Sequence, residues 1–469
     1  MKTVFVTSYH AHISRNILLT DAFFLLKSRS DLRIVLLVPD YKVDYFKKNF
    51  ALPSEALAKE RRVIVEGVPL YKSSKTTKGL FFKRFAEVLM PSETRIIKQR
   101  QKFYTNGKIS NLLFFWAGNI FGRSFFLRRL VRYADIKLSP KGFYYDLIDK
   151  YRPDAVFAND LHNENDISLM QDAKRRGVSV IGMFRSWDNP TQSILRVFPD
   201  KLLAGSLAIA SEAVRWQGYP KEKIILTGHP HYDKYLKGPT KTKEEFFREF
   251  GLDPRKRLVL FTPLGDKFLS VNDIDQYTME ALKDLPPSEA QVLVRFPPDE
   301  PVALKNFEKP ANMFFHQPGF VFDKNRFEDR EMRREDDESL INEIYWSDIV
   351  ITGPTSINLD AAFFDKPIIA SNLIPPPAGG PKRHYFETDY CFDFTHVKKM
   401  LGTGGAAYVQ SKADLLYQIK KYLNDPKSDS EGRAEIRSLW FSHADGKAGE
   451  RVATEVFKFI TLGGATAKW

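Results

Sequence analysis

The stretch ITGPTSINLDAAFFDKPIIA (351–370) joins groups that can hold an anion. A β-branched run, Ile349-Val350-Ile351, ends at Gly353-Pro354; hydroxyls follow at Thr355 and Ser356, and a mostly apolar helix then carries one carboxylate, Asp360. The pattern reads as a strand, a tight turn and a helix at the carboxyl edge of a sheet. The first amides of such a helix lack intrahelical acceptors, and the helix dipole adds partial positive charge. A phosphate suits that place, with the Thr355 and Ser356 hydroxyls as further donors. The same hydroxyls also suit an ordinary helix cap, and both roles can hold at once. Asp360 lies one turn in, among Leu, Ala and Phe, where a carboxylate needs a partner. That partner is either a ribose or sugar hydroxyl or backbone of its own domain.

The elements around this turn alternate. Residues 2–7 read as a strand, 17–27 as a helix and 32–38 as a second strand, a βαβ unit that implies a parallel sheet. A possible third strand at 63–65 precedes a basic, aromatic segment. Alternation resumes with strands at 155–158, 178–183, 201–204 and 223–227 and a helix at 166–176. After a polar linker (234–250), a second series has strands at 257–261, 291–295, 313–315, 348–352 and 367–370, then a helical region at 411–460. The expected class is α/β: two facing, doubly wound Rossmann-like domains with the carboxyl ends of both sheets on one cleft. The expected boundaries are 1–238, with a helical basic insertion at about 72–147, then 239–445, then a helix at 446–469 that crosses back to the first domain.

SDIVITGPTSINLDAAFFDKPIIA resembles the donor-site element of GT-B-fold nucleotide-sugar transferases. It is most similar to the CDP-glycerol glycerophosphotransferase-like and surface-polysaccharide members. RSWDNPTQ (185–192), LTGHPHYDKYL (226–236) and DGKAGERVA (445–453) agree with that family in order and spacing, so the resemblance covers roughly 155–460. Three positions depart from the glycerophosphotransferase pattern. Gly353-Pro354 stands where relatives carry Asp-Tyr before paired serines, His231 where they carry Arg, and Pro297-Pro298 where they carry His-Pro. The departures point away from a glycerol-phosphate donor and leave the fold intact.

The resemblance implies a donor pocket on the second domain. Thr262-Pro263-Leu264-Gly265-Asp266 follows its first strand and is expected to offer Thr262 and the Gly265 amide to a diphosphate. Arg295 ends the next strand, where a guanidinium clamps phosphate oxygens or makes a salt bridge. His396 matches a His that recurs in similar proteins after the Lys-Pro strand. A Pro/Gly loop at 374–386 carries Lys382, Arg383 and His384, either over anionic substrate or as a solvated connector. On the first domain, an inverting enzyme needs a base for the attacking hydroxyl. His12 is the first candidate, with His10 beside it, and Asp160 in FANDLHNEND is the rival; each also suits an ordinary structural hydrogen bond. Trp187, Asp188 and Asn189 are expected either to meet the acceptor or to form a turn.

Net charge is +13, and residues 72–137 hold 15 Lys/Arg against Glu87, Glu93 and Asp135, which places +12 of it there. GLFFKRF and NLLFFWAGNIFGRSFFLRRLVRY interleave these cations with bulky aromatics. Aromatics with cations suit nucleic acid, but the segment fits an interfacial element better, with Trp116 among the apolar anchors and Arg128, Arg129 and Arg132 on anionic lipid. A plain helical subdomain with a basic rim is the other alternative. The lone Cys391 excludes an internal disulfide and a thiolate metal site. No apolar h-region or membrane span is present in the sequence, so a cytoplasmic protein, peripheral on the inner face of the plasma membrane, is expected.

The sequence is thus read as a glycosyltransferase of bacterial cell-envelope polysaccharide biosynthesis. Its expected partners are a nucleotide-sugar donor, a glycan or lipid-linked glycan acceptor and an anionic membrane surface, with no nucleic acid. No cofactor beyond the nucleotide-activated co-substrate and no metal are expected, because helix amides and hydroxyls can meet the leaving diphosphate. A glycerophosphotransferase, a UDP-N-acetylglucosamine 2-epimerase-like enzyme and a non-catalytic nucleotide-binding protein are the alternatives.

Overall fold

The computed structural model describes residues 1–51, 62–70, 75–106, 109–265, 274–298, 300–322, 330–373 and 391–462. Asp266 and the loop residues Lys382, Arg383 and His384 lie outside the described residues. The chain divides into two compact units, Met1–Leu236 with Ser442–Trp469, and Lys237–Phe441.

The first unit is built on seven parallel strands: β1 (Lys2–Thr7), β2 (Leu32–Pro39), β3 (Val63–Val68), β4 (Ala155–Ala158), β5 (Ser179–Met183), β6 (Lys201–Ala204) and β7 (Ile224–Leu226). Their order in the sheet is β3-β2-β1-β4-β5-β6-β7. Alternate residues serve opposite faces: Val4 and Val6 enter one core, Phe5 the other. Both faces are therefore covered, as a parallel sheet requires. Helix α1 (Asp21–Ser28) starts where the Thr20 hydroxyl accepts from the Ala22 amide. Beside it packs the terminal helix Ala448–Thr461, whose Val452, Val456, Phe459 and Ile460 are buried in the same core. Each such side chain contributes about 1.5–3 kcal/mol of apolar burial.

Two of the sequence motifs explain why that helix docks. The Asp233 carboxylate accepts from the Ala448 and Gly449 amides at 3.2 and 2.8 Å, satisfying the helix's first orphan donors. Gly449 is needed because a Cβ there would lie 2.9 Å from the Ala22 nitrogen. Arg451 donates to the Thr227 and His443 carbonyls and to Asp445.

Between β3 and β4 come α2 (Thr77–Val88), α3 (Glu93–Asn106), α4 (Ile109–Phe121) and α5 (Phe125–Leu138), the helical insertion expected from composition. Ala86, Leu89 and Met90 pack on Ile194. After β4, α6 (Glu164–Arg175) is capped by Asn163 and almost wholly buried.

The second unit has β8 (Arg257–Thr262), β9 (Ala290–Arg295), β10 (Met313–His316), a two-residue pair β11 (Phe320–Val321) and β12 (Arg330–Glu331), then β13 (Ile349–Thr352), β14 (Ile368–Ser371) and β15 (Ala407–Val409). Six of these form a parallel sheet in the order β10-β9-β8-β13-β14-β15. Helix α7 (Arg334–Trp346) precedes β13, and α8 (Ile357–Phe363) follows it. The strand at β15 and the β11/β12 pair were not foreseen, since each is only two or three residues long.

Candidate active site

In each sheet the strand order reverses direction once, between β1 and β4 in the first unit and between β8 and β13 in the second. Open α/β sheets bind ligands outside the carboxyl ends of the strands at such a point.

In the second unit the switch point is flanked by the turn after β8 and the turn after β13. Thr262 pairs with Thr352 in the ladder, so the two turns leave side by side. Gly353 lets the two turns approach closely, since a Cβ there would lie 2.6 Å from a Leu264 methyl carbon and push that side chain aside. The Thr355 hydroxyl lies 2.9 Å from that of Thr352 and accepts from the Ile357 amide at 3.3 Å. It thereby ties the turn to the first residue of α8. Ser356 is partly exposed, and its hydroxyl makes no hydrogen bond among the described residues. Asn358 donates to the Gly353 and Thr355 carbonyls, fixing the turn from beneath.

Several expected donor contacts take a different form. The Leu264 and Gly265 amides are held by the buried Asp275 carboxylate, both at 2.9 Å, so Gly265 shapes the turn rather than offering its amide. Thr262 is buried at the strand end. Arg295 is not open to a phosphate. Its guanidinium donates to both oxygens of the buried Glu343 at 2.9 and 2.8 Å and to the Asp336 carbonyl. His316 completes that cluster, 2.5 Å from Glu343. Burial, the largest single influence, would raise the Glu343 carboxyl, but Arg295, His316 and Ser339 together hold the group below the usual glutamate range. Asp360 is fully buried inside the unit. His396 is buried in the first turn of the helix Thr395–Leu401.

At the first unit's switch point, His10 and His12 follow β1, and Asp160 follows β4. The His10 ring nitrogen accepts from the His12 amide at 3.2 Å, and the rings meet edge to face. Asp160 is buried, with Arg185 at 2.6 Å on one oxygen and the His162 amide on the other. Asp160 is thus an ion-pair partner in the structure, while His10 and His12 are both partly exposed. Beside them the Thr7 hydroxyl lies 2.5 Å from Asp166, whose carboxyl is pushed well above the usual range by burial and then by the Asp160 charge. Arg185 was not singled out as a site residue, whereas Asp166 stands in the same FANDLHNEND run, close behind Asp160. RSWDN forms a turn: Asn189 accepts from the Ser186 amide, Asp188 from Gln192, and Trp187 is buried.

The insertion corrects two further expectations. Arg128 donates to the Gly122 and Trp216 carbonyls, and Arg132 to those of Leu195 and Gln217. Both bind the helices to the body of the unit, and only Arg129 of the three faces outward. The exposed apolar groups are elsewhere. Ile109, Leu113, Trp116 and Ile120, at helical spacing on α4, form one stripe, with Phe121, Phe125 and Phe126 exposed after it. Among the described residues no helix is long and apolar enough to cross a membrane, and no group of three His, Cys, Asp or Glu is placed to hold a metal.

The fold is shared with solved structures. A protein from Listeria monocytogenes provisionally named a UDP-N-acetylglucosamine 2-epimerase superposes with a TM-score of 0.56 at 11% identity, covering 98% of this chain and 97% of that one. The UDP-GlcNAc 2-epimerase from Neisseria meningitidis, solved with UDP-GlcNAc bound, gives 0.54 at 11% identity over 98% of this chain and 100% of that one. The Methanocaldococcus jannaschii UDP-GlcNAc 2-epimerase, solved with UDP-GlcNAc and UDP, gives 0.51 at 13% identity over 98% and 100%. At these identities the likeness is one of fold, the GT-B arrangement of two Rossmann-like domains. No curated protein matches the chain. The model of the CDP-glycerol:poly(glycerophosphate) glycerophosphotransferase family matches residues 198–458, more than half of the sequence and inclusive of the Gly353–Ser356 turn. The chain belongs to that family of transferases.

Proposed function

We propose that this protein transfers a sugar from a nucleotide-activated donor to a lipid-linked surface glycan, at the inner face of the plasma membrane and without a metal. The observation that carries the reading is the switch point of the second unit, where the Gly353–Ser356 turn and the start of α8 lie beside the turn after β8. The partly exposed Ser356 hydroxyl at the start of α8 is the group offered to the leaving diphosphate. In an inverting displacement the acceptor oxygen forms a bond to the anomeric carbon as the bond from that carbon to the diphosphate breaks. The electron pair leaves with the nucleoside diphosphate, and the hydroxyl proton goes to His12. The exposed apolar stripe on α4 and the basic insertion around it suit docking on anionic lipid without a span.

A second reading, transfer of glycerol phosphate from CDP-glycerol, is favoured by the family match over 198–458. Purified protein incubated with CDP-glycerol or with UDP- and GDP-sugars, with and without membrane acceptor and in the presence of chelator, separates the readings. The proposal expects acceptor-dependent release of nucleoside diphosphate from a sugar donor that persists with chelator. Release of CMP from CDP-glycerol establishes the second reading, and isomerisation of the donor without acceptor establishes an epimerase.

A further inference from the structure

A cavity of about 250 Å³ lies in the first unit, between the insertion and the sheet domain. Lys83 of α2, Arg95 and Lys98 of α3, His162 and Arg196 line it, together with the carboxylates Glu87 and Glu164. Their donors outnumber their acceptors. Glu87 accepts from both Arg95 and Lys102, and Glu164 faces Arg196 at 2.8 Å and Lys83 at 3.7 Å. Arg196 is also held by Asp135, while Lys98 meets a neutral amide, the Gln192 oxygen. Five cations thus stand against three carboxylates.

Among the described residues, two buried nitrogens in the lining have no hydrogen-bond partner: Nε of Arg95, a residue 7% exposed, and Nε2 of His162. The His162 Nδ1 lies 3.0 Å from the Ser193 hydroxyl. With Ser193 donating to it, Nε2 carries the ring hydrogen and is a donor. Burial holds this imidazole below its ordinary range despite the nearby Asp160, so it stays neutral at physiological pH.

A site walled by donors on several elements recognises a multiply charged oxyanion. The volume decides its size: it falls below the roughly 300–1,000 Å³ of sites that enclose a whole small molecule. It holds a head group, not a nucleotide. We propose that this cavity is a binding site for a phosphate ester on the acceptor side, gripped by Lys83, Lys98, Arg95 and His162. The inference extends the acceptor half of the proposed function, but it rests on residues outside the donor unit and can fail separately.

Isothermal titration of the full chain with inorganic phosphate, decyl phosphate and the neutral decyl maltoside tests it. Wild type is expected to bind the phosphates and not the maltoside. Lys83→Ala with Lys98→Ala should weaken binding by about tenfold or more, the scale of one lost charge-assisted hydrogen bond. Gln192→Glu, which sets a carboxylate beside Lys98, should weaken it without removing a lysine. Decyl phosphate binding more tightly than inorganic phosphate assigns the site to a lipid head group; equal affinities assign it to a phosphate carried in solution. Nucleotide binding, measured on the same variants, is expected to be unchanged whether or not the donor reading holds. Absence of phosphate binding to wild type at millimolar concentration, or equal affinity in all the variants, overturns the proposal.

Discussion

Replacing Arg295 by Met separates a structural arginine from a phosphate clamp. In the folded unit the guanidinium donates twice to Glu343 and once to the Asp336 carbonyl, and Glu343 is wholly buried. Met fills most of the space but leaves that carboxylate with only His316 and the Ser339 hydroxyl. Removing one partner of a buried ion pair costs about 3–5 kcal/mol, because the remaining charge stays in a low-dielectric interior. A domain of ordinary stability, about 5–15 kcal/mol, loses a large share of it. Replacing both partners, Arg295→Met with Glu343→Leu, should recover most of the loss, since the uncompensated charge is gone. Urea unfolding followed by tryptophan fluorescence reads both variants, and nucleotide affinity is measured below the transition. Arg295 is a phosphate clamp instead if Arg295→Met keeps its unfolding midpoint and abolishes nucleotide binding.

His12→Ala should lower turnover by about 10²–10⁴-fold with donor affinity kept, as loss of a general base requires; near-normal turnover would move the base elsewhere. Cosedimentation with anionic vesicles should weaken as salt rises and fall further in Trp116→Ser/Phe126→Ser/Arg129→Glu, which alters only exposed groups. Arg132→Glu should instead destabilise the fold, because its head sits on the Leu195 and Gln217 carbonyls; equal partitioning of wild type onto neutral vesicles would contradict the membrane reading. His231 is buried, and desolvation, with the Arg15 charge second, holds its pKa well below the ordinary value. The unfolded chain therefore binds a proton near pH 6.5 that the native state refuses, and stability should fall with acidification by up to about 1.4 kcal/mol per pH unit. His231→Phe should flatten that limb in a pH series of thermal midpoints, and an unchanged slope would refute the assignment.

The α/β order was legible because parallel strands buried on both faces read as continuous β-branched runs, as in Ile349–Thr352. The turn at Gly353–Ser356 was legible for the same reason, since its strand, glycine and hydroxyls are contiguous. Partners distant in sequence were not. Arg295 looked like a strand-end cation because Glu343 lies 48 residues away, and nothing local announces the pair. Asp275 likewise takes the Leu264 and Gly265 amides from the next helix. Arg128 and Arg132 repeat with aromatics as a lipid-facing helix would, but composition does not tell whether a guanidinium meets a phosphate or a buried carbonyl. Asp233 and Arg451 carried family motifs, and their roles in seating the terminal helix emerged only from contacts across the first unit.

In the proposed function the donor's diphosphate sits at the switch point between β8 and β13. A thermal-shift titration of wild type, Ser356→Ala and Gly353→Ala with UDP, GDP, CDP and CMP tests it, because a ligand that binds only the native state raises the apparent midpoint. One nucleotide should raise the midpoint of wild type. Ser356→Ala should weaken that response by about 0.5–1.5 kcal/mol of lost hydrogen bonding, and Gly353→Ala should weaken it further as its Cβ drives Leu264 aside. A nucleotide that stabilises all three proteins equally would place the donor's diphosphate away from this switch point.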